Sequence, residues 1–269
     1  MKIIAEFRIP MPFTSDEMEV GLLYTIVQAM YEEAGDGTGT KFLYNEPYNY
    51  PDSEHFPSQF RSGQYTYKIH ITGDRLPWWI KLFFGGQKGD IHEESWNSHP
   101  FFNTIITLPN LFGGKFHGVM KSMLVDLEND NFFNLGEDDL EKRKIVDIDI
   151  AGKMFESYED DPTQFKSEKT GLGPLSDDWM EKTDHITNNY KLMEIDLSIA
   201  HEMIPERFKD FVIRMTTKVL WKYYRKMFCT MDEWINLTMD DIRKLEKECA
   251  ERLPEEMRKE GKMDRTSIS

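Results

Sequence analysis

Gln64-Tyr65-Thr66-Tyr67-Lys68-Ile69-His70-Ile71 is the stretch on which the fold turns. Side chains alternate along a strand, so Tyr65, Tyr67, Ile69 and Ile71 share one face while Thr66, Lys68 and His70 share the other. Two arrangements satisfy this pattern. In the first, the apolar row covers the core and the polar row meets water. In the second, the polar row lines a cavity, where a hydroxyl and an ammonium would bind something anionic or hydroxyl-rich. The pattern alone favours the first, and the rest of the chain has to decide.

Before this strand, residues 2–9 read as another strand, ended by Pro10 and Pro12. Thr14-x-x-Glu17 forms a capping box for a helix over 15–33, with Met18, Leu22, Tyr24, Ile26 and Met30 at mostly helical spacing. Gly35-Asp36-Gly37-Thr38-Gly39 stops it as a turn. Further strand-like runs fall near 40–46, 78–84, 103–109, 115–127, 145–150 and 189–199, and the central strand spans 64–72. Residues 47–62 read as a long exposed loop and 158–188 as an irregular surface segment.

The last third is helical. Pro205 opens a helix in which Phe208, Phe211, Val212, Met215, Val219, Tyr223 and Met227 recur at steps of three and four. Thr230-x-x-Glu233 begins a short piece, and Thr238-x-x-Asp241 begins a final helix over 238–260. Its thin seam of Ile242, Leu245, Cys249, Leu253 and Met257 suits a helix that covers a surface, as a lid does. Strand, helix, many strands, long helix and lid helix together predict an α+β protein with a mainly antiparallel sheet.

The 269 residues, 39% of them hydrophobic, suffice for a substantial core in one large domain or two small ones. A net charge of −15 argues against a basic nucleic-acid face and against lasting adhesion to anionic membranes. Two cysteines, Cys229 and Cys249, give no disulfide framework and fit a reducing compartment. The N-terminus carries charges where a signal peptide needs an apolar run, no stretch approaches a membrane span, and the last four residues are no lipidation signal. A cytoplasmic location is expected.

The seven histidines form no HxxxH, HExxH or Cys/His cluster, so no metal is expected. There is no G-x-S-x-G elbow and no nucleotide P-loop. With no nucleophile–base pair, no catalytic residues and no cofactor are expected, and the chain does not read as an enzyme.

Several segments resemble the phosphatidylinositol transfer protein family. They are Asn45-Glu46-Pro47-Tyr48, Gly63 to Ile69, His92-Glu93 with Trp96-Asn97, Lys166-Ser167 with Lys169-Thr170-Gly171 and Gly173-Pro174-Leu175, and Leu237 to Arg243. They run in family order along nearly the whole chain. The resemblance implies one START-related domain over 1–269, with a curved antiparallel sheet and two long helices enclosing a lipid cavity under the C-terminal lid helix. It implies a carrier that takes phosphatidylinositol, with phosphatidylcholine as a second candidate, from one membrane to another as a monomer. The rival it allows is a lipid-loaded sensor acting through a lipid kinase or other partner.

Carried over by residue, the resemblance assigns inositol contacts to Thr66, Lys68, Asn97 and Glu246, and phosphate contacts to Thr104, Ser122 and Lys191. For Glu246, the residues alone favour a solvated helix carboxylate. The family's glutamine on the first helix appears as Leu22, a cysteine near the headgroup as Phe102, and a threonine as Ser122. The tryptophan pair that docks relatives on membranes is missing at Ile199-Ala200. Trp78-Trp79 or Met203-Ile204 are the substitutes this chain offers, although Trp78-Trp79 equally fits a buried aromatic corner. Ser167, between Lys166 and Glu168-Lys169, matches a serine phosphorylated in relatives.

Overall fold

The computed structural model describes residues 2–50, 60–72, 90–109, 116–156, 160–196 and 207–258. The elements are β1 (Lys2–Met11), α1 (Ser15–Glu33), β2 (Gly39–Asn49), β3 (Ser62–Ile71), β4 (Asp90–Ser98), β5 (Phe101–Thr107), β6 (His117–Val125), α2 (Glu137–Lys142), β7 (Lys144–Asp147), α3 (Trp179–Lys182), β8 (Thr187–Asp196), α4 (Arg207–Cys229), α5 (Met231–Trp234) and α6 (Met239–Glu256). The strands form a curved, open sheet in the order β2-β3-β4-β5-β6-β8-β1-β7, antiparallel except for the β1–β7 pair. The protein is α+β, as expected.

The helix boundaries follow local chemistry. Thr14 accepts the Glu17 amide while the Glu17 carboxylate takes the Thr14 amide at 2.8 Å, and Thr238 with Asp241 repeats the arrangement at α6. Both capping boxes lie where the spacing predicts them. The Gly35–Gly39 run is a turn in which Asp36 and Gly37 adopt positive φ. Strand β1 turns Ile3, Ala5, Phe7, Ile9 and Met11 into the core against α1 and α4.

Four expectations change. Pro10 does not end β1 but lies within it opposite Asn188, past the last β7 partner at Arg8. Residues 47–49 continue β2 instead of opening a loop, and Pro47 is tolerated because β2 is an edge strand with one unpaired side. Strand β4 went unpredicted because its inward residues, Glu93, Ser95 and Asn97, are polar. The 158–188 stretch contains the single turn α3, anchored by buried Trp179. The strand-like run 78–84 and the pairs Trp78-Trp79 and Met203-Ile204 lie outside the described residues.

The central strand resolves against the simpler reading. Thr66 is 2% exposed and Lys68 7% exposed, so the polar row is the buried one. The aromatic row lies on the opposite face, half-buried. There Tyr65 donates to Glu94 at 2.8 Å and Tyr44 stacks on Tyr67.

Candidate functional site

Register assembles the site. Antiparallel partners share a face, and two cross-strand rows run over the inner surface of the sheet. One reads Asn45, Thr66, Ser95, Thr104, Met120, Met193; the other reads Gln64, Asn97, Phe102, Ser122, Lys191, Phe7. The first row runs from polar at the β2–β4 end to apolar on β6 and β8, while the second places Phe102 within a polar series that reaches Lys191 on β8 before ending at Phe7. Thr66, Asn97, Thr104, Ser122 and Lys191 thus fall in these two rows although they lie up to 125 residues apart in sequence, and Lys68 stands in the adjacent row opposite Glu93.

At the β2–β4 end, Glu246 reaches down from α6. It is 5% exposed and accepts from Asn45 Nδ2 at 3.1 Å and Arg243 Nη1 at 2.7 Å. Gln64 in turn donates to Asn45 Oδ1 at 2.6 Å. The solvated-carboxylate reading of Glu246 is overturned, because its side chain falls in the buried stripe of Ile242, Glu246, Cys249 and Leu253. Gly63 serves the same corner, since a Cβ there would lie 2.1 Å from the Asn97 carbonyl oxygen. No other residue lets β3 approach Asn97 this closely.

Lys68 donates to Glu93 Oε1 at 2.9 Å, and Glu93 Oε2 bonds His70 Nε2 at 3.0 Å. Burial alone would raise the Glu93 pKa, but the Lys68 charge and the His70 bond outweigh it and hold the carboxyl well below its usual range. The Thr66 hydroxyl stands apart: it is buried with no hydrogen-bond partner among the described residues. Native structures rarely leave such a group unpaired, because its desolvation then goes uncompensated.

Further along, Ser95 and Thr104 hydroxyls meet at 2.9 Å, and Lys191 Nζ donates to Ser122 Oγ at 2.9 Å. Among the described residues no carboxylate pairs with Lys191, and burial pushes its pKa down to about 8. A buried ammonium paired only with a hydroxyl suits an incoming anion. The folded value lies below the ordinary 10.5, so the folded chain binds fewer protons than the unfolded chain between about 8 and 10.5. Lys191 therefore contributes a stability term that rises with pH through that window, opposed above the ordinary thiol value of 9.0 by Cys229 and Cys249, whose burial raises their pKa. Lys191→Met should remove this term, so the stability of the wild type relative to the variant should rise with pH, which denaturant midpoints of both measured from pH 7.5 to 10.5 will check.

Next to Lys68 lies a cavity of about 200 Å3 bounded by α1 (Ile26, Met30), His70, Glu93 and Tyr223. Leu22 and Phe102 pack against the main core, and Phe102 sits beside Asn97 and Ser122 in its row. Along α4, Val219 is 58% exposed and Met215 is also exposed, in line with Phe208, Val212 and Tyr223 at helical spacing. Ser167 is buried, and its hydroxyl donates to Asp232, which also accepts the Glu168 and Lys169 amides. A kinase would have to open this contact to reach it. Asn45, Gln64, Glu93 and Ser95 were assigned no role in the sequence, yet alternation along Ile91-His92-Glu93-Glu94-Ser95-Trp96-Asn97 would have set Glu93 and Ser95 beside Asn97.

A curved antiparallel sheet with helices over a buried polar strip, and a C-terminal helix anchored to that strip, defines the START-like class of fold. The family model described as phosphatidylinositol transfer protein matches residues 2–251, and the chain belongs to that family. It is 32% identical to Phosphatidylinositol transfer protein 1 of Dictyostelium discoideum, over 95% of this chain and 96% of that protein. It is 32% identical to the human phosphatidylinositol transfer protein beta isoform over 100% and 99% of the two chains. The same identity relates it to the mouse membrane-associated phosphatidylinositol transfer protein 1, where 96% of this chain matches 21% of the longer protein. Among the described residues no helix is long and apolar enough to cross a membrane.

Proposed function

We propose that residues 1–269 form a single transfer domain that carries one phospholipid, chiefly phosphatidylinositol, between membranes. The inositol ring lies against Thr66, Lys68, Asn97 and Glu246, and the phosphate against Thr104, Ser122 and Lys191. The observation that carries this reading is the orphaned Thr66 hydroxyl, buried between Asn45 and Ser95 in the register and beside an ammonium. A polyol supplies both donors and acceptors to such a set.

Energetics give the reason for a carrier. Two acyl chains hold ~30 methylenes, and exposing them to water costs on the order of 25 kcal/mol. The tails lie along the apolar strip of α4, from Phe208 through Met215 and Val219, which would otherwise remain partly wet. The 200 Å3 cavity between α1, α4 and the sheet is smaller than the ~300–1,000 Å3 of a small-molecule pocket, so loading requires the fold to open, and in this reading α6 is the element that moves. Glu246 links the two events, since the residue that holds α6 to Asn45 is also a ring contact.

Phosphatidylcholine is a second, weaker cargo, because Leu22 lacks a polar group and Phe102 adds bulk beside Asn97. The carrier works as a cytoplasmic monomer. It touches membranes briefly through Trp78-Trp79 or Met203-Ile204, and Ser167 becomes a phosphorylation site only when its contact to Asp232 opens. The test is transfer of labelled phosphatidylinositol between liposomes with no protein partner present. Rapid exchange supports the carrier, whereas exchange no faster than without protein contradicts it.

A further inference from the structure

We propose that Glu93 is a positioning residue for the headgroup site, fixing the Lys68 ammonium so that its free N–H donors point at the ring. The inference rests on the reading of Lys68 as an inositol contact. Glu93 stands directly opposite Lys68 in the β3–β4 register, and both side chains face inward. Both of its carboxylate oxygens are engaged. Oε1 takes Lys68 Nζ at 2.9 Å, with Ser95 Oγ at 3.4 Å, and Oε2 meets His70 Nε2 at 3.0 Å.

The second ring nitrogen of His70 bonds the Thr40 hydroxyl at 3.0 Å. With Thr40 donating to Nδ1, the imidazole presents its N–H at Nε2 to Glu93. Thr40, His70, Glu93 and Lys68 thus form one chain across β2, β3 and β4, and its free end is the ammonium. An ammonium has three donors, of which Glu93 occupies one. A lysine stem has four rotatable bonds, so without an anchor Nζ would sample many positions. Lys68 also lies 5.7 Å from the centre of the Phe42 ring, which bounds it on the β2 side. With its oxygens committed to Lys68 and His70, Glu93 acts through Lys68 rather than on the ring itself.

The test loads the full chain from vesicles of phosphatidylinositol and phosphatidylcholine and measures phosphatidylinositol bound per protein at limiting lipid. Wild type must load phosphatidylinositol; if it does not, the carrier reading fails and this inference falls with it. Glu93→Gln keeps the shape but loses the charge-assisted bond, and roughly a tenfold drop in loading is expected. In a Lys68→Met background, adding Glu93→Gln should change nothing further, because the residue has lost the group through which it acts. Wild-type loading by Glu93→Gln, or a further drop in the Lys68→Met background, would overturn the proposal. If Glu93→Gln alone does not fold, the double variant bears neither charge, and its comparison with Lys68→Met decides the matter by itself.

Discussion

Lys68→Ala should lower phosphatidylinositol transfer roughly 10- to 100-fold while leaving any phosphatidylcholine transfer near its starting rate. The magnitude follows from losing one or two hydrogen bonds to a charged group, each worth ~1.5–3 kcal/mol. Selectivity follows from position: Lys68 lies on β3, where the ring is proposed to bind, four strands away from Lys191 in the sheet order. A choline headgroup offers no hydroxyls to an ammonium, so it has little to lose at Lys68. Asn97→Ala should act in the same direction with a smaller effect, since an amide makes neutral bonds. Parallel liposome assays with the two labelled lipids check both variants. Equal loss of both activities would mean that these residues hold the fold and not the ring.

The second large effect is structural. Trp234→Ala should destabilise the protein by about 3–5 kcal/mol, the usual cost of emptying a large aromatic site. Trp234 is fully buried, meets Phe13 edge-on at 5.1 Å, and donates from Nε1 to the Met227 carbonyl at 2.9 Å. It also fills the space beside Gly21, where a Cβ would come within 2.9 Å of the indole. One side chain thus clips α1, the end of α4 and α5 together just before α6 begins. Set against a total stability of about 5–15 kcal/mol, the loss should lower the melting temperature on the order of 10 °C. Thermal unfolding followed by circular dichroism measures this directly, and a shift of a degree or two would contradict the packing role.

Much of the architecture was legible because local chemistry and tertiary structure agree there. The Thr14 and Thr238 capping boxes set the starts of α1 and α6, and the alternation in β3 marked it as a strand. Reading failed where the site begins. Strand β4 turns Glu93, Ser95 and Asn97 inward, so it lacks the apolar row by which a strand is recognised. Strand β3 shows the complementary error, because its polar row is buried and its aromatic row half-exposed. Functional sites break the rule of apolar inside and polar outside, and here both breaks lie on adjacent strands.

Within the site, Thr66, Lys68, Asn97 and Glu246 were reached through family resemblance, not through pattern. Glu246 looks like any helix carboxylate until the α6 stripe is seen to bury it against Asn45. Glu93 was passed over for a related reason: its partners, Lys68 and His70, lie 25 and 23 residues away. Only cross-strand register brings them together, and no short-range spacing encodes that register.

Native mass spectrometry of the purified recombinant chain tests the central claim most directly. The account predicts a complex heavier than the polypeptide by one phospholipid, which fragmentation identifies as phosphatidylinositol. A chain that carries no lipid, and takes none up after incubation with phosphatidylinositol vesicles, would contradict it.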